Sequence, residues 1–549
     1  MANNNQKQDF GVLYGQKTTE DALLIYSSYN DAQASPQSGD FIVLTPKDED
    51  GVKFLARVEA EIYDEDPIFR NQDKTLIAVH YARIAERELS ERDKQKMFSY
   101  TYKVKILGTF EGDGKNFTTA VRKLPVVSYH ARHLTPREIS NILNRTNENG
   151  TEIGHLCIGE TIRKDSKILF DVKKLREKRT MVFAQSGFGK TNLMKVLIYN
   201  TISDTNYGKL IFDLNGEYYL NGTKTYGLGS IDEQIIKDNL IVYSDKSVQS
   251  NNRFQYRGSV RLNMHRHLSI GDVLNFSAGF SEVMKSFLIY LEDEQTEDFF
   301  ANIGNYASNP QNLYRDFPDF WGGNQARNAG EEASARKTIM AIRKRISFLI
   351  DENKGLHQGT STLVEDVFDA LRQGKTVIID LSLRDNQEAT IISNIFMRKL
   401  FENNKREFTS NNAKNVINTV IVVEEAQNVL SDEFVRSNAN PFVRVAKEGR
   451  KFGLGLVAIT QRPSAISEEI RSQAENFFVL HMGNSKDIKA LVESNINYDG
   501  VISKFIQSET IAGNLYMVSA NQSFALPVRV IEFEKLVENK IYKDLKIPK

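Results

Sequence analysis

The segment Ala184-Gln185-Ser186-Gly187-Phe188-Gly189-Lys190-Thr191 constrains this chain more than any other stretch. It lies between an apolar run, Thr180-Met181-Val182-Phe183, and the start of a helical pattern, Asn192-Leu193-Met194-Lys195-Val196. A glycine-rich turn between strand and helix that ends in Gly-Lys-Thr is the pattern of a phosphate-binding loop, in which backbone N–H groups and the helix terminus wrap the phosphates of a nucleotide. Lys190 is then placed on the terminal phosphates and Thr191 on Mg2+, while Ser186, Gly187, Phe188, Gly189 and Asn192 complete the cradle. Ala184 stands where the pattern has its first glycine. Such a loop is the first turn of a βαβ unit, so the chain is expected to contain an α/β core built on a parallel sheet.

More strands of that sheet are legible. Lys209-Leu210-Ile211-Phe212 follows the first helix, and Thr376–Asp380, Thr419–Val423, Leu454–Ile459 and Phe477–Leu480 form a later set. In open α/β sheets the chemistry gathers at the carboxyl ends of the strands. Glu424 and Glu425 stand there after Val420-Ile421-Val422-Val423, which gives Glu424 the role of holding Mg2+ through water and Glu425 that of polarising the attacking water. Gln461, after the next strand, is placed to sense the terminal phosphate or orient water. Asp213 and Glu217 follow the Lys209–Phe212 strand toward the same sheet edge.

At roughly 150 residues per domain, 549 residues argue for three or four domains. Short strand patterns at Leu23–Tyr26, Phe41–Leu44, Phe54–Val58 and Leu76–Val79, with period-two alternation over Tyr100–Ile106, predict an all-β barrel or sandwich in the first 128 residues. Thr135-Pro136-Arg137-Glu138 supplies a capping hydroxyl, a proline for the first helical position and the Glu of a capping box, so a helix starts there. Ile339, Ile342, Ile346 and Leu349 recur at helical spacing within a helical stretch. The organisation expected is a barrel with connecting helix over 1–150, the first part of the core over 151–264, a helical insertion over 265–370, the second part over 371–525, and a strand and helix tail over 526–549 that could brace a neighbouring subunit.

Composition removes alternatives. Lys plus Arg equals Asp plus Glu at 71 each, so no global field draws the chain to nucleic acid or to an acidic membrane. The hydrophobic share of 40% is enough to build cores and excludes a wholly disordered chain. One cysteine, Cys157, excludes an intramolecular disulfide and a multi-cysteine zinc site and fits a reducing compartment. With no export-signal pattern at the amino terminus and no run of about 18 apolar residues, the expectation is a cytoplasmic protein without a membrane anchor.

Together the motifs resemble the HerA branch of the HerA/FtsK P-loop ATPases. The resemblance is carried by Asp-Leu-Asn-Gly-Glu-Tyr (213–218), Glu-Glu-Ala-Gln-Asn (424–428), Glu-Gly-Arg-Lys-Phe-Gly (448–453) and Thr-Gln-Arg-Pro-Ser (460–464). It implies a RecA-like core behind a HAS-barrel-like domain, and a homo-hexameric ring that hydrolyses ATP with Mg2+ at subunit interfaces and moves double-stranded DNA through its pore. It further implies an arginine supplied to the neighbour's γ-phosphate, with Arg450 as the candidate and Arg444 as the rival. A separate nuclease or a sirtuin-like NAD-degrading effector is the implied partner, in DNA-end processing or anti-phage defence. The alternative is a hexameric scaffold that uses nucleotide mainly to regulate such a partner, with the barrel as the docking platform. A membrane secretion or conjugation ATPase fits less well without an anchor. Gln427 stands where many relatives carry histidine.

Two basic stretches are candidates for DNA contact: Arg253-Phe254-Gln255-Tyr256-Arg257 through Arg261, His265 and Arg266, and the cluster Arg336, Lys337, Arg343, Lys344 and Arg345. A solvated face is the competing reading for each. His265 and His267 read as surface residues without metal-ligand spacing.

Overall fold

Alternation of apolar side chains closes the first part of the chain into a barrel. In this computed structural model, which describes residues 9–16, 22–28, 36–48, 50–65, 98–222, 225–247, 252–274, 280–293, 299–309, 311–321, 329–352, 355–410, 412–437 and 440–545, six strands pair in the order β1-β2-β5-β4-β3-β6. They are β1 (Asp9–Gln16), β2 (Ala22–Ser28), β3 (Phe41–Thr45), β4 (Lys53–Glu65), β5 (Phe98–Phe110) and β6 (His130–His133). Every second residue points inward: Leu23 and Ile25, Ile42 and Leu44, Phe54, Ala56 and Val58, Tyr102 and Val104 share one core. The expected strand Leu76–Val79 lies outside the described residues.

The predicted capping box is present after β6. Thr135 Oγ1 accepts the Glu138 N–H at 3.3 Å and the Glu138 carboxylate accepts the Thr135 N–H at 2.9 Å. Arg132 donates to both Glu138 oxygens at 2.9 Å in a buried bidentate pair, so the burial that opposes the charge on Glu138 is outweighed and its carboxyl sits below the usual range. The helix is only one turn, Pro136–Glu138, before it widens into a π-helix at Ile139–Leu143.

The chain divides into two compact units. The first comprises Met1–Val172, Phe183–Leu193 and Glu475–Glu532. Beyond the barrel it holds β7 (Thr151–Ile158), β8 (Thr161–Phe170) and the carboxyl-terminal strands β16 (Asn476–Val479), β17 (Asn514–Val518) and β18 (Leu526–Val530), joined antiparallel as β16-β17-β18-β7-β8. Phe477–Leu480 was expected among the parallel strands: on one edge its hydrogen bonds advance with the chain around Phe183, Leu480 to Phe183 and then Gln185 to His481, and on the other it pairs antiparallel with β17, so direction changes at this strand. Both kinds of buried strand are continuous apolar runs, so the pattern does not encode direction.

The second unit comprises Lys173–Val182, Met194–Ala474 and Phe533–Lys549. Its strands β10 (Gly208–Asp213), β11 (Leu240–Ser244), β12 (Gln255–Gly258), β13 (Thr376–Asp380), β14 (Thr419–Val423) and β15 (Leu454–Thr460) run parallel in the order β12-β11-β13-β10-β14-β15. Between β12 and β13 the chain is helical. Ile339, Ile342, Ile346 and Leu349 of the helix Ala329–Ile350 are buried, as their spacing predicts. Phe287, Phe299, Phe317 and Trp321 pack as an aromatic cluster beside them. The fold is therefore α/β: one unit holds a parallel core interrupted by helices, and the other an amino-terminal barrel and an antiparallel set of strands.

The tail turns back on the second unit. Phe533 and Val537 are buried, Ile541 bridges to Ile231, and the Asp232 N–H donates to the Lys540 carbonyl at 2.6 Å. These contacts lie within the second unit.

Candidate active site

The phosphate loop follows β9 (Thr180–Phe183) and runs into the helix Lys190–Thr201. Within the first unit the Leu480 N–H donates to the Phe183 carbonyl at 2.9 Å, the Gln185 N–H to His481 at 3.0 Å, and the Gly513 N–H to Phe188 at 3.0 Å. The Phe188 ring lies 4.2 Å from the His481 ring. Gly187 and Gly189 have φ of +85° and +98°, a region that side chains with a Cβ rarely adopt. A Cβ at Gly187 would point into open space, whereas one at Gly189 would stand 3.1 Å from the Gly513 nitrogen. The space beside Gly187 in a glycine-rich turn between strand and helix fits a nucleotide phosphate carrying Mg2+. Ala184 is fully buried with no positive φ, so the missing glycine costs the turn nothing. Asn192 donates to the Ile531 carbonyl at 2.9 Å, a structural bond that the sequence does not foretell.

The acid pair is built at the carboxyl end of β14 in the second unit. Glu424 is 6% exposed, and it accepts the Tyr218 hydroxyl at 2.6 Å and the Asn215 amide at 3.3 Å. Burial, and then the negative charge of Glu424, push the Tyr218 phenol well up, so it stays a donor at all working pH values. Glu425 adopts φ 48° and ψ 42°, a left-handed conformation that costs a non-glycine residue on the order of 1–2 kcal/mol. That cost falls on a residue whose carboxylate is held from two sides. Gln461 Nε2 donates to Oε1 at 3.2 Å and Gln427 Nε2 to Oε2 at 2.6 Å. A void of about 30 Å3 opens beside Glu424 and Glu425, room for one or two water molecules.

Asp213 is fully buried and engaged in the loop rather than in solvent chemistry. It accepts the N–H groups of Gly216 at 2.7 Å and Tyr218 at 3.1 Å. Burial, with the charge of Asp380 adding to it, raises its pKa. Asp213 thereby folds the Asn215–Tyr218 loop that delivers two donors to Glu424, while Glu217 is exposed. Asp380, at the end of β13, accepts Tyr219 at 2.7 Å, Ser244 at 2.8 Å and Ser382 at 2.5 Å. Burial raises its pKa, but these bonds outweigh it and leave the carboxyl below its ordinary value. Tyr218, Thr460 and the Asp380 cluster were missed in sequence, because only the folded loops bring them to the strand ends.

The two candidate arginines differ. Arg444 lies over the Phe401 ring with its guanidinium 4.6 Å from the centroid, a packed cation–π contact. Arg450 is exposed and lines a groove of about 390 Å3 with Arg176, Lys451 and Phe408. Of the basic stretches, the first is engaged within its own unit. Arg253 pairs with Asp544 and lies over Tyr542, Phe254 is buried against Tyr219, and Arg266 pairs with Glu365 at 2.9 Å. His267 is 5% exposed, which corrects its reading as a surface residue. Arg336, Lys337, Arg343 and Lys344 are exposed on the helix Ala329–Ile350 and make no ion pair among the described residues. Among the described residues no cluster of His, Cys, Asp or Glu is arranged to hold a metal, and no helix is long and apolar enough to cross a membrane.

Residues 152–400 match the family model described as Helicase HerA, central domain. The DNA double-strand break repair helicase HerA of Sulfurisphaera tokodaii is 26% identical over 72% of this chain and 72% of its own length. That of Saccharolobus solfataricus is 22% identical over 91% of this chain and 87% of its own. The chain is a P-loop ATPase that is similar to these HerA helicases. Residues 353–487 of this HerA-like chain also match a model described as Zonular occludens toxin (Zot). Among solved structures, VirB4 of Thermoanaerobacter pseudethanolicus aligns with a TM-score of 0.44 at 13% identity, covering 70% of this chain and 96% of that one.

Proposed function

We propose that this HerA-like ATPase is a motor that hydrolyses ATP and translocates double-stranded DNA, working as a homo-hexamer with a separate nuclease or other effector enzyme in DNA-end processing or anti-phage defence. The observation that carries the hydrolytic part is Glu425, held in a left-handed conformation with both carboxylate oxygens engaged at the end of β14. In this reading Lys190 and the N–H groups of residues 186–192 hold the phosphates, Thr191 and Glu424 hold Mg2+, the latter through water, and Glu425 takes the proton of the water that attacks the γ-phosphorus as the bond to the β-phosphate oxygen breaks. Mg2+ when bound offsets charge on the phosphate oxygens. Arg450, exposed where Arg444 is packed, is the residue offered to a neighbour's γ-phosphate. The relatives named as double-strand break repair helicases support DNA as the track. The exposed cations of the helix Ala329–Ile350 supply a surface that suits a phosphate backbone. Steady-state hydrolysis by the purified chain tests the chemistry: Lys190→Ala and Glu425→Gln are expected to lower kcat by about a hundredfold or more, and wild-type turnover in either variant would sink it.

A second reading, a nucleotide-regulated scaffold that docks an effector on its barrel, is favoured by one observation. Leu124, Val126 and Val127, in the connection between β5 and β6, are 51%, 63% and 59% exposed, an apolar stretch of the kind that marks interaction sites. Hydrolysis that appears only with the effector present would select this reading.

A further inference from the structure

We infer that Gln427 and Thr460 form a positioning relay that fixes Glu425 for water activation, and that the relay ties this residue to the end of β15. The inference rests on the hydrolytic reading above and names two residues that it does not use. Thr460 is 1% exposed at the last position of β15. Its hydroxyl oxygen accepts the Arg462 N–H at 2.9 Å and lies 2.6 Å from Gln427 Oε1. A backbone N–H can only donate, so it occupies a lone pair of the hydroxyl and leaves the Thr460 proton for Gln427. The Glu425 carboxylate can only accept, which turns the NH2 of the Gln427 amide toward Oε2, 2.6 Å away, and leaves the amide oxygen to accept the Thr460 proton. The direction of every bond in the chain from Arg462 through Thr460 and Gln427 to Glu425 thus follows from a donor-only N–H at one end and an acceptor-only carboxylate at the other.

Two consequences bear on Glu425. Gln461, the residue after Thr460, donates to the other carboxylate oxygen at 3.2 Å, so the end of β15 grips the carboxylate twice, once directly and once through Gln427. The backbone at Glu425 is left-handed, and a strained residue persists only where its surroundings over-determine it.

Steady-state ATP hydrolysis by the full chain, with kcat and KM resolved, tests the relay. Gln427→Ala is expected to lower kcat about tenfold with KM for ATP within about twofold. Thr460→Val, which removes the hydroxyl and keeps the shape, should lower kcat by a smaller factor, and Thr460→Ser should restore most of it. Because Thr460 acts only through Gln427, the double variant should be no slower than Gln427→Ala alone. Losses that multiply in the double variant would overturn the relay, as would wild-type kcat in Thr460→Val, which decides the matter even if Gln427→Ala does not fold. Wild-type kcat in Glu425→Gln would instead remove the hydrolytic reading, and the relay with it.

Discussion

Glu424 and Glu425 are adjacent in sequence yet meet different surroundings, and each surrounding yields a test. Glu424 is buried and receives a hydroxyl from Tyr218 at 2.6 Å. Tyr218→Phe removes that donor from a buried carboxylate, a loss of roughly 1–3 kcal/mol when the acceptor is charged. The expected result is a higher Mg2+ concentration for half-maximal hydrolysis, read from a metal titration. At the phosphate loop, Gly189→Ala forces a Cβ into a backbone with φ +98° and to within 3.1 Å of Gly513, so nucleotide affinity is expected to fall by at least about tenfold, as measured by direct binding of a labelled nucleotide. His267 supplies a pH signature. Burial, helped by Lys399, Arg266 and Arg398 and opposed by Glu365, lowers its pKa from 6.5 to about 4. The unfolded chain therefore binds this proton below about pH 6.5 while the folded chain does so only near 4, and stability drains as pH falls through that window. The melting temperature of wild type relative to His267→Gln is expected to drop by a few degrees between pH 7 and 4; a pH-independent gap would contradict this. The residues proposed to touch phosphate or water were legible because the loop and the acids sit at strand ends, where backbone geometry demands them. Thr460 and Tyr218 were not, since they reach their partners across 33 and 206 residues and no periodicity records such a contact.

Elements read well wherever burial is one-sided. The barrel strands show period two because one face meets the core, and the helix Ala329–Ile350 shows period 3.6 for the same reason. Ile339 and Met340 are neighbours on that helix, at 0% and 51% exposure. Ile339→Ala is expected to cost about 2–5 kcal/mol and Met340→Ala within about 0.5 kcal/mol, a difference calorimetry reads directly. The change of strand direction was not legible: β17, which pairs antiparallel with β16, has the same apolar signature as the parallel strands. The basic and aromatic run from Arg253 to Arg266 shows a related limit. Charge on a sequence does not say where its counter-charge lies, and here Asp544 and Glu365 provide it from the tail and from a later helix.

At the scale of the whole molecule, the chain order of the two units matters, because the phosphate loop is a short excursion, Phe183–Leu193, inside a unit otherwise built from the barrel and the carboxyl-terminal strands. Sequence order therefore gave the motifs their places but not this interleaving, which depends on pairings between the two ends of the chain such as Val528 with Leu156. The proposed ring makes its own demand. If Arg450 serves a neighbour's nucleotide, inactive Lys190→Ala and inactive Arg450→Ala chains mixed in equal amounts should regain hydrolysis, since some sites then combine an intact lysine with an intact arginine; a mixture as dead as its components would exclude that role. The central claim is that hydrolysis is coupled to DNA. ATP turnover by the purified chain, measured with and without linear duplex DNA against Glu425→Gln, should rise severalfold on adding DNA and stay at background in the variant. Turnover in the wild type that is indifferent to DNA would contradict the motor.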